Sequence, residues 1–175
     1  MTLWLITDTH FYHHNMQRLC GRPQDFTELT IKNWQEASKP EDVTIHLGDV
    51  SFGRNAMLKP IMDTIPGKKW LVMGNHDGNG KQWYLRNGFD WCGDAMLYNG
   101  VWLTHDVSEF MPEGSFLNVH GHVHNSKPAE WKRFPHSKLL ALEYTDYKPV
   151  KFDDFTMKER NTHVKKAPYT TLIPE

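Results

Sequence analysis

Five short clusters hold the side chains in this sequence best suited to chemistry: Asp8-Thr9-His10, Gly48-Asp49, Gly74-Asn75-His76-Asp77, His105 and Gly121-His122-Val123-His124. Carboxylate, imidazole and amide groups all ligate metals. Mixed together they suit borderline and moderately hard divalent ions such as Mn²⁺, Fe²⁺ or Zn²⁺, whereas a magnesium site would favour oxygen alone. There are too many of them for one tetrahedral ion. They suit two ions that share a carboxylate, because a carboxylate has two oxygens, and Asp49 is the candidate bridge. With Asp8 and Asp49 as the only anionic ligands, two divalent ions leave such a cluster net positive and attractive to phosphate.

Each cluster alone has an ordinary reading as a loop, a turn or an Asx cap. What separates them from ordinary loops is the elements that precede them. Leu3-Trp4-Leu5-Ile6 is a short apolar run that ends at Asp8, Val43 to Leu47 leads into Gly48-Asp49, and Trp70 to Met73 leads into Gly74-Asn75. Such runs read as buried strands that release polar residues at their carboxyl ends, where ligands bind in α/β sheets. Met57, Leu58, Ile61, Met62 and Ile65 form the stripe of an amphipathic helix closed by Pro66-Gly67, and a second helix is expected within Thr27 to Ser38. Strand and helix in alternation predict parallel crossovers.

The second half changes character. Asn99-Gly100 between Ala95–Tyr98 and Val101–Thr104 predicts a hairpin with a type I′ turn, delivering His105 directly after it. Phe116 to Val119, Leu139 to Leu142 and Pro149 to Phe152 are expected as further strands, and the polar stretch from about Asp153 to Glu175 as a loosely wrapped tail. The whole reads as one α/β domain over residues 1–175 with two sheets stacked between helices.

Composition excludes several classes. Hydrophobic residues at 39 % and charged residues at 23 % fit a soluble globular chain, and a net charge of −1 gives no electrostatic reason to track a long polyanion. Two cysteines, Cys20 and Cys92, do not make a disulfide framework. No run approaches the roughly 18 apolar residues of a spanning helix, and Met1 to Ile6 lacks the length and basic flank of a signal peptide. A cytoplasmic location without membrane attachment is the expectation. The anomaly is 11 histidines.

In order and spacing the five clusters resemble the signature of the calcineurin-like metallophosphoesterases: D-x-H, G-D, G-N-H-[DE], a lone His, then G-H-x-H. The resemblance spans about two thirds of the chain. It implies a four-layer α-β-β-α sandwich and a dinuclear centre, Mn²⁺ first with Fe, Zn, Ni or Co as alternatives. Asp8, His10 and His124 would hold one ion, Asn75, His105 and His122 the other, and Asp49 would bridge. His76 would be a non-ligand that assists the leaving group. Two such ions lower the pKa of water held between them and polarise phosphoryl oxygens.

Other residues divide between function and surface. His13 is a candidate phosphate contact or a solvated loop histidine, and Arg54 a candidate phosphate clamp or surface charge. His14 reads as surface, His46 and His120 as satisfied core histidines, and Asp77 as a loop brace or a helix cap. The function expected is metal-dependent hydrolysis of a phosphate ester, a phosphodiester of a nucleotide or small molecule rather than a monoester. A nuclease is the runner-up, for which Trp131-Lys132-Arg133-Phe134 is the local hint; a metal-binding scaffold without catalysis is the other alternative. A protein Ser/Thr phosphatase fits less well, because Asp49 precedes Val50-Ser51-Phe52-Gly53 rather than Asp-Arg-Gly.

Overall fold

Leu5 and Ile6 sit on one strand and point to opposite cores, and that alternation organises the molecule. In this computed structural model, residues 1–52, 57–126 and 134–163 are described, those at 158–163 by backbone alone. Strand β1 (Leu3–Ile6) pairs in parallel with β2 (Val43–His46), β2 with β3 (Lys68–Val72), and β3 with β4 (Trp91–Gly93). The connections between these parallel strands carry α1 (Met16–Cys20), α2 (Phe26–Ala37), α3 (Leu58–Thr64) and α4 (Lys81–Arg86), as parallel pairing requires. A two-residue strand β9 (Val150–Lys151) runs antiparallel along the free edge of β1, so the first sheet has the order β4-β3-β2-β1-β9.

The second sheet has the order β5-β6-β7-β8. Strands β5 (Met96–Tyr98) and β6 (Val101–Leu103) form the expected hairpin, with Asn99 and Gly100 at φ 48° and 77°, the positive values a type I′ turn needs. Strands β7 (Leu117–His120) and β8 (Ser137–Leu139) continue the sheet in parallel.

Two cores follow from the pleat. Leu5, Ile45, Leu47 and Val72 face Met96, Val101, Leu103, Leu117 and Val119 of the second sheet, with Phe116, Leu140 and Phe152 sealing the ends. On the other face of the first sheet, Ile6 and Leu71 pack against Trp34, Leu58, Ile61, Met62 and Tyr84 from the helices. Both faces of the parallel sheet are therefore covered, which is why β2 is buried at every position. The fold is the mixed α/β, two-sheet architecture expected from the sequence. The outer face of the second sheet is dressed by the loop after β6, where Trp102 meets Phe110 edge to face and Ser108 N–H donates to Asn118 Oδ1.

Two expectations for the C-terminal half change. Residues 140–142 are not strand: β8 lies earlier, at Ser137–Leu139, and Leu142–Tyr144 forms a single 3₁₀ turn with Leu142 buried. The first part of the stretch expected as a loose tail is helical: α5 spans Phe152–His163 with Phe152 and Thr156 buried. Polarity misled there because two phenylalanines, Phe152 in the inter-sheet core and Phe155 packed against it, suffice to dock an otherwise polar helix. Residues 164–175 lie outside the described residues. No helix among the described residues is long and apolar enough to cross a membrane.

Phe152 is 1 % exposed and joins the inter-sheet core from the first position of α5. Phe152→Ala is expected to cost about 3–5 kcal/mol of stability, read from the midpoint of urea unfolding. A loss under about 1 kcal/mol would mean that α5 is not docked as described.

Candidate metal centre

Five parallel strand ends converge on one rim: β1, β2 and β3 from the first sheet, β6 and β7 from the second. The loops after them carry Asp8 and His10, Asp49, Asn75 and His76, His105, and His122 and His124. Those loops are tightly bent. Among the described residues other than glycine, nine have positive φ, and five of the nine are Asp8, His10, Asp49, His122 and His124. Each costs roughly 1 kcal/mol or more of backbone strain and persists only where the surroundings over-determine it.

Each buried carboxylate divides its oxygens between two tasks. Asp8, fully buried, accepts from Thr7 Oγ1 at 2.6 Å and from the His122 N–H at 3.0 Å, both at Oδ2. Its Oδ1 is buried without a hydrogen bond and lies 3.7 Å from His124 Nε2 and 3.9 Å from His10 Nε2. Asp49 accepts the His76 N–H at Oδ1, 2.8 Å away, while its Oδ2 stands 3.5 Å from His10 Nε2 and 3.4 Å from His105 Nε2. One oxygen thus secures the loop and the other faces imidazoles.

The imidazoles are oriented to match. His105 Nδ1–H donates to Leu47 O at 2.8 Å, which turns Nε2 toward Asn75 Oδ1 at 2.9 Å, His122 Nδ1 at 3.1 Å and Asp49 Oδ2. One proton cannot pair with three such neighbours; a divalent cation can bind them all. Among the described residues three groups of donor atoms lie close enough to share an ion: Cys20 with His124 and Glu143, and, made up of the rim residues alone, Asp8 with His10 and His124, and Asp49 with His105 and His122. Asp49 Oδ2 lies between the two rim groups. The residues present therefore fit divalent metal.

Proton affinities report the same crowding. Burial drives His10 down to about 2, against the pull of Asp49, so its ring is neutral and its lone pair is available. Burial works against charge on His105 too, but the hydrogen bond to Asp49 and the charges of Asp8 and Asp49 push it up to about 9. That proton occupies the place a cation would take. Asp8 is raised by burial, whereas in Asp49 the same penalty is outweighed by the hydrogen bond and charge of His105, which hold it below the usual carboxylate range.

The glycines next to the ligands are steric necessities. A Cβ on Gly121 would collide with Asp8 Oδ2 and Thr7 Oγ1, and one on Gly48, at φ 96°, would meet His105 Nδ1 at 2.6 Å.

Behind the ligands lies a bracing layer, only part of which the sequence suggests. Asp77 caps no helix; α4 starts later, with Gly80 at its N-cap. Its Oδ2 accepts the N–H groups of Asp49 and Gly74, both at 2.8 Å, and its Oδ1 accepts the Val50 N–H at 3.0 Å and the Tyr84 hydroxyl at 3.2 Å. It ties the second and third ligand loops together. His46 is the satisfied core histidine expected, pushed down to about 3 by burial. Its Nδ1 accepts the Gly48 N–H at 3.1 Å, so Nε2 carries the proton toward Thr9 Oγ1 at 3.0 Å, and Thr9 donates onward to Val50 O at 2.7 Å. His120 is also buried, with Nδ1 3.0 Å from Gly121 O.

Arg22 and Glu143 carry no motif and were not legible. The buried Arg22 guanidinium donates to Asp8 O at 2.9 Å, Thr9 O at 3.2 Å and Glu143 Oε1 at 2.8 Å. Glu143 Oε1 lies 3.4 Å from His124 Nδ1. Arg22 Nη2 lies 3.2 Å from the same nitrogen but has Asp8 O and Glu143 Oε1 for its hydrogens. With the proton on Nδ1 and aimed at Glu143, the Nε2 lone pair of His124 is therefore left facing Asp8 Oδ1. Burial alone would raise the Glu143 carboxyl, but His124 and Arg22 bring it down to about 2. The one faint sequence signal is Gly21-Arg22-Pro23 after α1, where a left-handed Gly21 at φ 70° turns the chain back toward the site.

Of the remaining candidates, His76 is exposed at the rim with its ring 5.5 Å from that of His10. His13 is half-buried, with its ring 5.5 Å from His10 and stacked on Phe52. His14 is exposed. Arg54 and the Trp131-Lys132-Arg133 segment lie outside the described residues.

The chain matches the model of the calcineurin-like phosphoesterase family over residues 1–165. It is 29 % identical over 168 residues to an uncharacterised protein of Methanocaldococcus jannaschii, covering 86 % of this chain and 87 % of that one. It is 25 % identical to the gene 66 protein of Mycobacterium phage L5, over 81 % of this chain and 76 % of the relative. A crystal structure of a protein of unknown function from Aquifex aeolicus superposes with a TM-score of 0.72 at 28 % identity, covering 90 % of this chain and 98 % of that one.

Glu143→Gln keeps the volume and one oxygen acceptor but removes the charge that orients His124. Divalent-metal affinity, measured by calorimetric titration, is expected to fall about 10–100-fold with secondary structure intact. An unchanged affinity would mean that Glu143 serves Arg22 alone.

Proposed function

The chain belongs to the calcineurin-like phosphoesterase family, and from that premise we propose that it is a dinuclear metal-dependent phosphodiesterase acting on a nucleotide or small-molecule ester. Support comes above all from Asp49 Oδ2, which stands 3.5 Å from His10 Nε2 and 3.4 Å from His105 Nε2, one oxygen shared by two donor groups. Asp8, His10 and His124 would hold the first ion, Asn75, His105 and His122 the second, and Asp49 would serve both. Mn²⁺ is the first choice of metal, because the set mixes two carboxylates and an amide with four imidazoles. When bound, such ions supply Lewis acidity and ionise water near neutral pH.

The protein's own residues divide the remaining work. Asp8 and Asp49 keep the charge of the centre low enough for product to leave. His76 is fixed through its backbone N–H, which donates to the bridging Asp49, and its exposed ring stands over the rim next to His10. From there it donates a proton to the departing ester oxygen, a role worth about 10²–10⁴ in rate. Arg22 and Asp77, by fixing the ligand loops from behind, hold that geometry without taking part in it. The near-neutral charge argues for a small ester over a nucleic acid, and Val50-Ser51-Phe52 after Asp49 departs from the protein-phosphatase pattern.

The direct experiment is turnover of an aryl phosphodiester by Mn²⁺-loaded protein, with metal content counted by mass spectrometry. Hydrolysis with two ions per chain is expected; metal binding with no ester cleaved would leave a scaffold.

His76→Ala should keep the metal content of the wild type while slowing turnover about 10²–10⁴-fold. If the variant instead loses metal, His76 is a ligand. Asp49→Asn should lower the occupancy of both ions, since it removes the shared charge, and a variant that still holds two ions per chain rules out the bridge.

A further inference from the structure

One large apolar side chain stands in the open beside the metal centre. Phe52 is 43 % exposed, yet it is firmly placed: its N–H donates to Phe11 O at 3.1 Å, and the neighbouring Ser51 bridges to Phe11 in parallel register. Its ring lies on His13 with centroids 4.1 Å apart and planes 19° from parallel, and meets His76 edge on at 5.6 Å. His13 is itself tied back to the centre, its N–H donating to His10 O at 2.9 Å. Aromatic surface therefore runs without a break from a ligand, His10, through His13 to Phe52, with His76 alongside. Core packing does not account for it, because Phe52 belongs to neither core and keeps almost half its surface in water.

We propose that Phe52, backed by His13, is a stacking shelf for the flat aromatic portion of the ester, a nucleobase or an aryl group. The proposal rests on the phosphodiesterase reading and narrows it to esters that carry such a group. Phe52 touches His76, so a ring resting on the shelf lies next to the residue that serves the departing oxygen. His13 serves the shelf through the face of its ring, and the phosphate contact expected of it would use the ring edge. Stacking of this type tolerates any π-face and so selects aromatic over aliphatic substituents without reading a base sequence.

The test compares two phosphate ligands that differ only in the base, adenosine 5′-monophosphate and ribose 5-phosphate, titrated calorimetrically into the Mn²⁺-loaded full-length protein. The nucleotide is expected to bind about tenfold tighter. Phe52→Ala should bring it down to the affinity of ribose 5-phosphate, and Phe52→Trp should retain the preference. Equal affinities in the wild type, no binding of either ligand, or a preference that survives Phe52→Ala would each overturn the shelf. Failure of the underlying reading shows separately, as Mn²⁺-loaded protein that cleaves no ester whether or not the base is preferred.

Discussion

Two carboxylates taken out of water, 3.9 and 3.5 Å from the same His10 nitrogen, set the terms for everything at this rim. Removing a carboxylate from solvent costs several kcal/mol unless its charge is matched, and two side by side repel. Protein dipoles meet half of that demand: Thr7 and the His122 N–H serve one oxygen of Asp8, and the His76 N–H serves one oxygen of Asp49. The other two oxygens face only imidazole edges. Neutral His10 offers a lone pair, which repels a carboxylate oxygen in turn, and the proton that His105 gains serves Asp49 alone. Positive charge at these points resolves the conflict.

Such a centre is strained before any ion arrives, so the chain around it must be stiff. Positive φ at five ligand positions is one mark of that strain. Stiffness comes from groups that never face the site. Asp77 fastens two ligand loops through three backbone N–H groups, and Arg22 holds the loop after β1 by two of its carbonyls. Glu143 then links that guanidinium to His124, more than a hundred residues away in sequence from Arg22. Removing one member of this buried network leaves another charge without a partner, which is why the braces are as constrained as the ligands.

The sequence was most legible where chemistry and periodicity coincide. Apolar runs that stop at Asp8, Asp49 and Asn75 revealed both the parallel strands and the rim on which they end, and Asn99-Gly100 revealed the hairpin. Arg22 and Glu143 were invisible because a brace is defined by what it touches, and those contacts span 121 residues. Asp77 lay in plain view, but its spacing suits a cap as well as a clamp, and only the third dimension separates the two. The helix at 152–163 is hidden for a related reason: Phe152 and Phe155 dock it, and two apolar residues in a polar run make no sustained period.

Strand β9 pairs Val150 with Leu5, joining the last strand among the described residues to the first. During synthesis at about 5–20 residues per second, the β1 edge therefore waits roughly 7–30 s for its neighbour, its hydrogen-bonding groups open to any passing strand. Asp8 and His10, at the end of that strand, wait almost as long for His124. The earliest of the candidate ligands to leave the ribosome are among the last to be enclosed.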